Sequence, residues 1–129
     1  MIDPGGRLLR ALEEAEVHLK LIQDYRKGGD YDLNQVRGSI ISLKEELGHI
    51  RLWSKAWSKN FFGKEIEMSM EDLSKSLDLA LGGIEAAPQY ARFALQYALM
   101  QGQMKIETVL ADVSAFKDLL RRGPSSLRR

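Results

Sequence analysis

The amino-acid sequence predicts an all-α protein, a four-helix antiparallel bundle with a long C-terminal helix. Three observations lead there. Apolar residues recur at alternating spacings of three and four along most of the chain, glycine pairs and prolines interrupt those runs, and no period-two run is long enough to propose a sheet. At 129 residues the chain has the length of one domain and buries a core without disulfides or metal. We read 1–124 as a single helical domain and 125–129 as a disordered basic tail.

The first helix begins at Asp3 and Pro4, an N-cap followed by proline at the first helical position, although Gly5 and Gly6 move its firm start toward Arg7. Leu8, Leu12, Ala15, Leu19 and Ile22 form its apolar stripe, and Gly28-Gly29 ends it. The second helix starts at Asp32, with Gln35 placed for a capping box. Leu33, Val36, Ile40, Leu43, Leu47, Ile50, Ser54 and Trp57 alternate strictly by three and four, the clearest pattern in the chain.

Residues 64–68 read as a short connection, with Ile66, Met68 and Met70 alternating as one brief extended piece. A third helix starts at Ser69, carries Met70, Leu73, Leu77, Ala80 and Ile84, and weakens or ends at Gly82-Gly83. Pro88 sets a boundary because it disfavours helical geometry at Ala87.

From Pro88 the pattern runs to Arg122. One stripe is Leu95, Leu99, Gly102, Ile106, Val109, Val113, Phe116 and Leu120. A second, Phe93, Tyr97, Met100 and Met104, makes the first half apolar nearly all round. An unbroken helix of this length measures roughly 52 Å at 1.5 Å per residue, whereas a globule of this size is roughly 36 Å across. The helix therefore either breaks near Gln101-Gly102-Gln103 or projects into an oligomer interface, and the two-sided apolar surface favours projection.

Charge is distributed in blocks. Residues 1–32 carry five basic and seven acidic groups, a net of −2; 33–64 carry six and two, +4; 65–112 carry three and eight, −5; and 113–129 carry five and one, +4. Such alternation implies complementary surfaces between helices or between copies of the chain. The absence of cysteine excludes disulfide frameworks, thiolate metal sites and a cysteine nucleophile. No basic segment followed by an apolar run opens the chain, and no stretch reaches membrane-spanning length, so an intracellular, cytoplasmic protein without a membrane partner is expected.

One pair of residues invites a mechanism. Glu46 and His49 stand at the Glu-x-x-His spacing used by ferritin-like di-iron bundles, which also need a second such motif and two further glutamates. The only other histidine is His18, with Glu14 four residues before it. Glu46 and His49 moreover precede the stripe members Leu47 and Ile50, so they flank the seam. They read as a surface pair, and no catalytic residue, metal or cofactor is assigned.

The leading expectation is a non-enzymatic assembly or interaction protein, a homo-oligomer or a small subunit of a larger complex. Its expected interface comprises Trp53, Trp57, Phe61, Phe93, Tyr97, Met100 and Met104. The alternative is a nucleic-acid-binding accessory subunit. Arg37, Lys44 and Arg51 recur every seven residues, Lys55 and Lys59 continue nearby, and Arg121 and Arg122 lie at the chain's end; such a ridge tracks phosphates without sequence preference. A ferritin-like metal-binding bundle is a minor alternative.

Overall fold

Among the described residues the three-four periodicity is realised as helix, except at Gly102. The computed structural model describes residues 4–57, 64–102 and 105–122, and among them there is no strand. Five α-helices follow in order: α1 (Pro4–Arg26), α2 (Leu33–Trp57), α3 (Lys64–Ala86), α4 (Ala91–Gln101) and α5 (Ile106–Arg122), with a 3-10 turn at Pro88–Tyr90 before α4. None of these helices is long and apolar enough to cross a membrane.

Local chemistry explains most of the boundaries. Pro4 stands at the first position of α1, where its missing N–H costs nothing. At the other end, Gly28 takes φ 110°, its N–H donates to Tyr25 O and that of Gly29 to Asp24 O at 2.8 Å, a glycine-dependent C-cap. A Cβ on Gly29 would lie 2.7 Å from Asp24 Oδ2. Asp32 caps α2: its carboxylate accepts the Asn34 N–H at 3.2 Å and its carbonyl accepts the Val36 N–H. Ala87 sits at φ −145°, ψ 78° ahead of Pro88, the extended geometry proline imposes on its predecessor.

Two boundaries differ from expectation. Residues 64–68 are the first turns of α3, not a connection; lysine, glutamate and methionine are good helix formers, and an alternation of three residues is too short to outweigh them. Gly82 and Gly83 lie inside α3 rather than at its end. Gly83 has a packing reason: a Cβ there would lie 2.9 Å from Ala94 Cβ on α4, so its absence lets the two helices touch.

The larger correction concerns the C-terminal half. Among the described residues there are five α-helices where four were expected, and the C-terminal helix neither runs unbroken from Pro88 nor projects. Gly102 is extended, at φ −74°, ψ 152°, and α5 is a 17-residue helix that packs on α1. Glycine is the weakest non-proline helix former. Here it also lies against α3, where a Cβ would collide with the Ser76 hydroxyl and come within 3.1 Å of Asp72 Oδ2.

The core is the set of stripes. Leu8, Leu12, Ala15, Leu19 and Ile22 from α1 meet Val36, Ile40, Leu43, Leu47 and Ile50 from α2; Met70, Leu73, Leu77, Ala80 and Ile84 come from α3, Leu95 and Leu99 from α4, and Ile106, Val109, Val113 and Phe116 from α5. Each fully buried large side chain contributes about 1.5–3 kcal/mol. Buried Ser54, the polar member of the α2 stripe, donates to Arg51 O at 3.0 Å.

Ion pairs fix the direction of α5. Arg26 meets Glu107 at 2.6 Å and Lys117 meets Glu16 at 3.2 Å, so α5 runs antiparallel to α1. Burial raises the Glu16 carboxyl, but hydrogen bonds and charge from Lys20 and Lys117 outweigh it and leave the group below its ordinary value of 4.5. A hydrogen bond from its own backbone, opposed by burial and supported by Gln23 and Arg26, lowers Glu107 as well. With folded values depressed, the stability these carboxylates contribute is present above the ordinary value and lost as pH falls through the lowered ones. The thermal midpoint of Glu16→Gln/Glu107→Gln is therefore expected to show a shallower acid limb than the parent. The cost at neutral pH is up to about 1 kcal/mol for such partly exposed pairs; parallel acid limbs would contradict it.

Candidate functional site

The sequence offered two candidate surfaces, a basic ridge on α2 and an aromatic face on α4, and the structure treats them differently. On α2, Arg37 meets Glu85 at 3.3 Å, Lys44 pairs with Asp78, and Arg51 approaches Glu71 at 3.9 Å. The cations advance by seven along α2 while the carboxylates retreat by seven along α3. The result is a three-rung ladder between antiparallel neighbours. The basic block of 33–64 and the acidic block of 65–112 thus meet within one chain. Lys55 is exposed on the last turn of α2 and Arg121 lies 3.9 Å from Asp118. Arg122 is exposed at the end of α5. Lys59 lies outside the described residues.

The aromatic face begins with the way α4 packs. Ala91, Leu95, Ala98 and Leu99 are buried, and Ala94 touches α3 at Gly83. Gly83 and Ala94 let α4 lie close to α3 with Leu95 and Leu99 filling the core, and the bulky residues of the other side stay outside. They point away: Tyr90 is 64% exposed, Phe93 69%, Tyr97 53% and Met100 79%. Their steps of three, four and three keep them in one line opposite the buried residues.

That line carries no charge. Between Pro88 and Gln101 the one ionisable cation is Arg92, and it is turned sideways into α1. Its Nε donates to Tyr25 O at 2.8 Å, an Nη donates to Gly29 O at 2.7 Å, and the guanidinium lies 4.6 Å from the centroid of the Tyr25 ring. Gln96 adds a bond to Arg26 O at 3.0 Å. These side chains satisfy carbonyls that the end of α1 leaves over. The remaining rim residues, Gln89 and Gln101, are exposed amides.

Of the expected interface residues, Phe93, Tyr97 and Met100 are therefore brought together at the surface. Trp53 is elsewhere, half-buried on α2 against the core with Arg7 5.8 Å over its ring. The side chain of Trp57, and Phe61 and Met104 altogether, lie outside the described residues, as does the tail 125–129. Sequence reasoning missed Tyr90, although its position three residues before Phe93 continues the stripe. It also missed the capping role of Arg92, for which no local signal exists.

The concavities among the described residues include two beside these surfaces. One of about 430 Å³ between α1 and α2 is lined by Arg7, Arg10, Glu14, Glu46, His49 and Trp53. It mixes both signs of charge and holds the Glu46–His49 pair at 3.4 Å. No group of three or more metal-ligating side chains occurs among the described residues. The other, about 590 Å³, lies at the α4–α5 junction between Arg26, Met100, Lys105 and Glu107 and adjoins the exposed stripe. No protein-family model, curated protein or solved structure matches the chain.

Proposed function

We propose that this protein is a non-enzymatic helical assembly protein that binds a protein partner, whether a further copy of itself or a different chain, through the outer face of α4. The carrying observation is the uncharged stripe Tyr90, Phe93, Tyr97 and Met100, four large side chains each more than half exposed, the first at the N-cap of α4 and the other three on the helix. Aromatic residues and methionine are enriched at protein interfaces and charged ones depleted at their centres, and a contiguous exposed apolar line is uncommon on a surface with no partner. The fold suits the role. We read the helices as an antiparallel bundle in which α4 and α5 share the fourth position, so the inward side of α4 is rigidly seated and the outward side is presented as a fixed ridge.

The nucleic-acid alternative draws less support. Arg37, Lys44 and Arg51 each face a carboxylate on α3, and a phosphate backbone would have to displace those acids before counterion release could favour binding. The metal-bundle alternative draws on a single Glu46–His49 pair at the surface.

A photo-reactive phenylalanine analogue at position 93, irradiated in the expressing cell, tests the proposal. Protein adducts at position 93 are expected several-fold above those at Leu52, a position on α2 that is also more than half exposed. Equal or absent adducts at the two positions would overturn the proposal.

A further inference from the structure

The stripe on α4 has a symmetry that bears on what covers it. Its members stand at 90, 93, 97 and 100, so their spacing reads three, four, three in either direction along the chain. Two such lines laid antiparallel about a two-fold axis beside residue 95 bring Tyr90 opposite Met100 of a second copy and Phe93 opposite Tyr97 of that copy. Every member then meets another, and the exposed amides Gln89 and Gln101 meet at the rim. Phe–Tyr contacts gain from edge or offset ring packing, and a methionine sulfur against a ring is likewise favourable.

Charge points the same way. In an isologous contact each group on the face meets the same face turned round, so a face with net charge repels itself. α4 itself contributes none, because its one cation, Arg92, is held at the end of α1 by two carbonyls and a tyrosine ring, and the charged groups that border Met100 (Arg26, Lys105 and Glu107) are of both signs. A face evolved for a charged partner would carry the complementary sign. The area is also sufficient. Four large side chains with the exposures given above leave on the order of 500 Å² per copy, at about 150–250 Å² for a whole aromatic side chain. Two copies together reach about 1,000 Å², where specific interfaces begin.

Resting on the reading of α4 as an interaction face, we propose that its partner is a second copy of this chain, the two α4 helices pairing antiparallel about a two-fold axis near residue 95. The dimer is of modest size and micromolar strength. It leaves the α1–α2 side and the α2–α3 ladder outside the contact.

Sedimentation equilibrium of the full chain tests this, with a monomer–dimer equilibrium expected below about 100 µM. Phe93→Glu places two like charges at the centre of the contact and is expected to weaken the dimer at least about 100-fold. Because residue 93 is exposed, its helical circular dichroism should be unchanged. The chain has no cysteine, so the orientation can be trapped. A mixture of Tyr90→Cys and Met100→Cys chains should form the mixed disulfide on oxidation, and neither chain alone should cross-link. Identical positions in the antiparallel pair are about 15 Å apart along the axis, beyond the roughly 7 Å reach of a disulfide.

A chain still monomeric at about 100 µM, a dimer indifferent to Phe93→Glu, or like-with-like disulfides would each overturn the inference. A monomer whose position-93 photoadduct contains a different protein overturns self-pairing and leaves the assembly reading in place. A monomer that gives no adduct but binds phosphatidylcholine vesicles through residue 93 overturns both.

Discussion

Phe116→Ala is expected to lower stability by about 3–5 kcal/mol, the range for deleting a buried aromatic side chain, and to free α5 before the rest of the protein unfolds. Phe116 is 7% exposed and is the largest of the four buried residues that α5 contributes, with Ile106, Val109 and Val113. The helix packs mainly on α1, so its docking depends on one apolar line and the ion pairs at Glu107 and Lys117. Loss of the ring leaves a cavity along that line. Urea denaturation measures the total effect, and hydrogen exchange locates it: amides of 106–122 should lose protection ahead of those in α1 and α2. A loss below about 1 kcal/mol, or uniform exchange, would mean that α5 is not held by this face.

Arg92→Ala is expected to cost about 3 kcal/mol. Hydrogen bonds that involve a charged group contribute about 1.5–3 kcal/mol each, and the guanidinium makes two, to Tyr25 O and Gly29 O. Its seat over the Tyr25 ring adds about 0.5–1 kcal/mol at a partly exposed site, while water replaces part of what is lost. Lysine should recover less than half of the deficit, because a single ammonium does not reproduce the planar fork that spans both carbonyls. Urea midpoints of the three proteins decide the matter; equal stability of the lysine variant and the parent would refute the two-pronged contact. The expected local signature is faster amide exchange at Lys27–Gly29, the turn that Arg92 holds to the end of α1.

These two residues mark where sequence reasoning reached and where it stopped. The stripes were legible because burial follows helical period: Leu12, Ile40, Leu77 and Val109 all lie where their phase put them. Near Gly102 the sequence left a break and a projecting helix both open and favoured projection, because Leu99, Gly102 and Ile106 keep the same phase across it and periodicity alone does not register an interruption that preserves the period. At the break, Gly102 leaves no room for a side chain beside Ser76 and Asp72 of α3, residues far earlier in the chain that no local pattern reveals. The start of α3 was misjudged for the opposite reason, since three alternating residues imitated a strand locally. On α4 the sequence showed two apolar sides but not which one faces inward. The answer lies in size: alanines and Gly102 fit against α3, whereas Phe93, Tyr97 and Met100 do not. The basic ridge was equally visible, but its partners, seven residues apart on α3, became meaningful only once α2 and α3 were side by side.

The ladder between α2 and α3 has a property that follows from its regularity. All three cations lie on one helix and all three carboxylates on the other, at equal intervals. If α3 slid by one heptad, two of the three rungs would still find opposite charges, and reversing the direction of α3 would preserve all three. The ladder therefore carries information about neighbourhood but almost none about alignment or polarity. It declares that α2 belongs beside α3 and leaves the question of where along it to the packing of the buried stripes, Ile40, Leu43 and Leu47 on α2 and Leu73, Leu77 and Ala80 on α3. Charge chooses the neighbour, and the fit of the buried side chains sets the ruler.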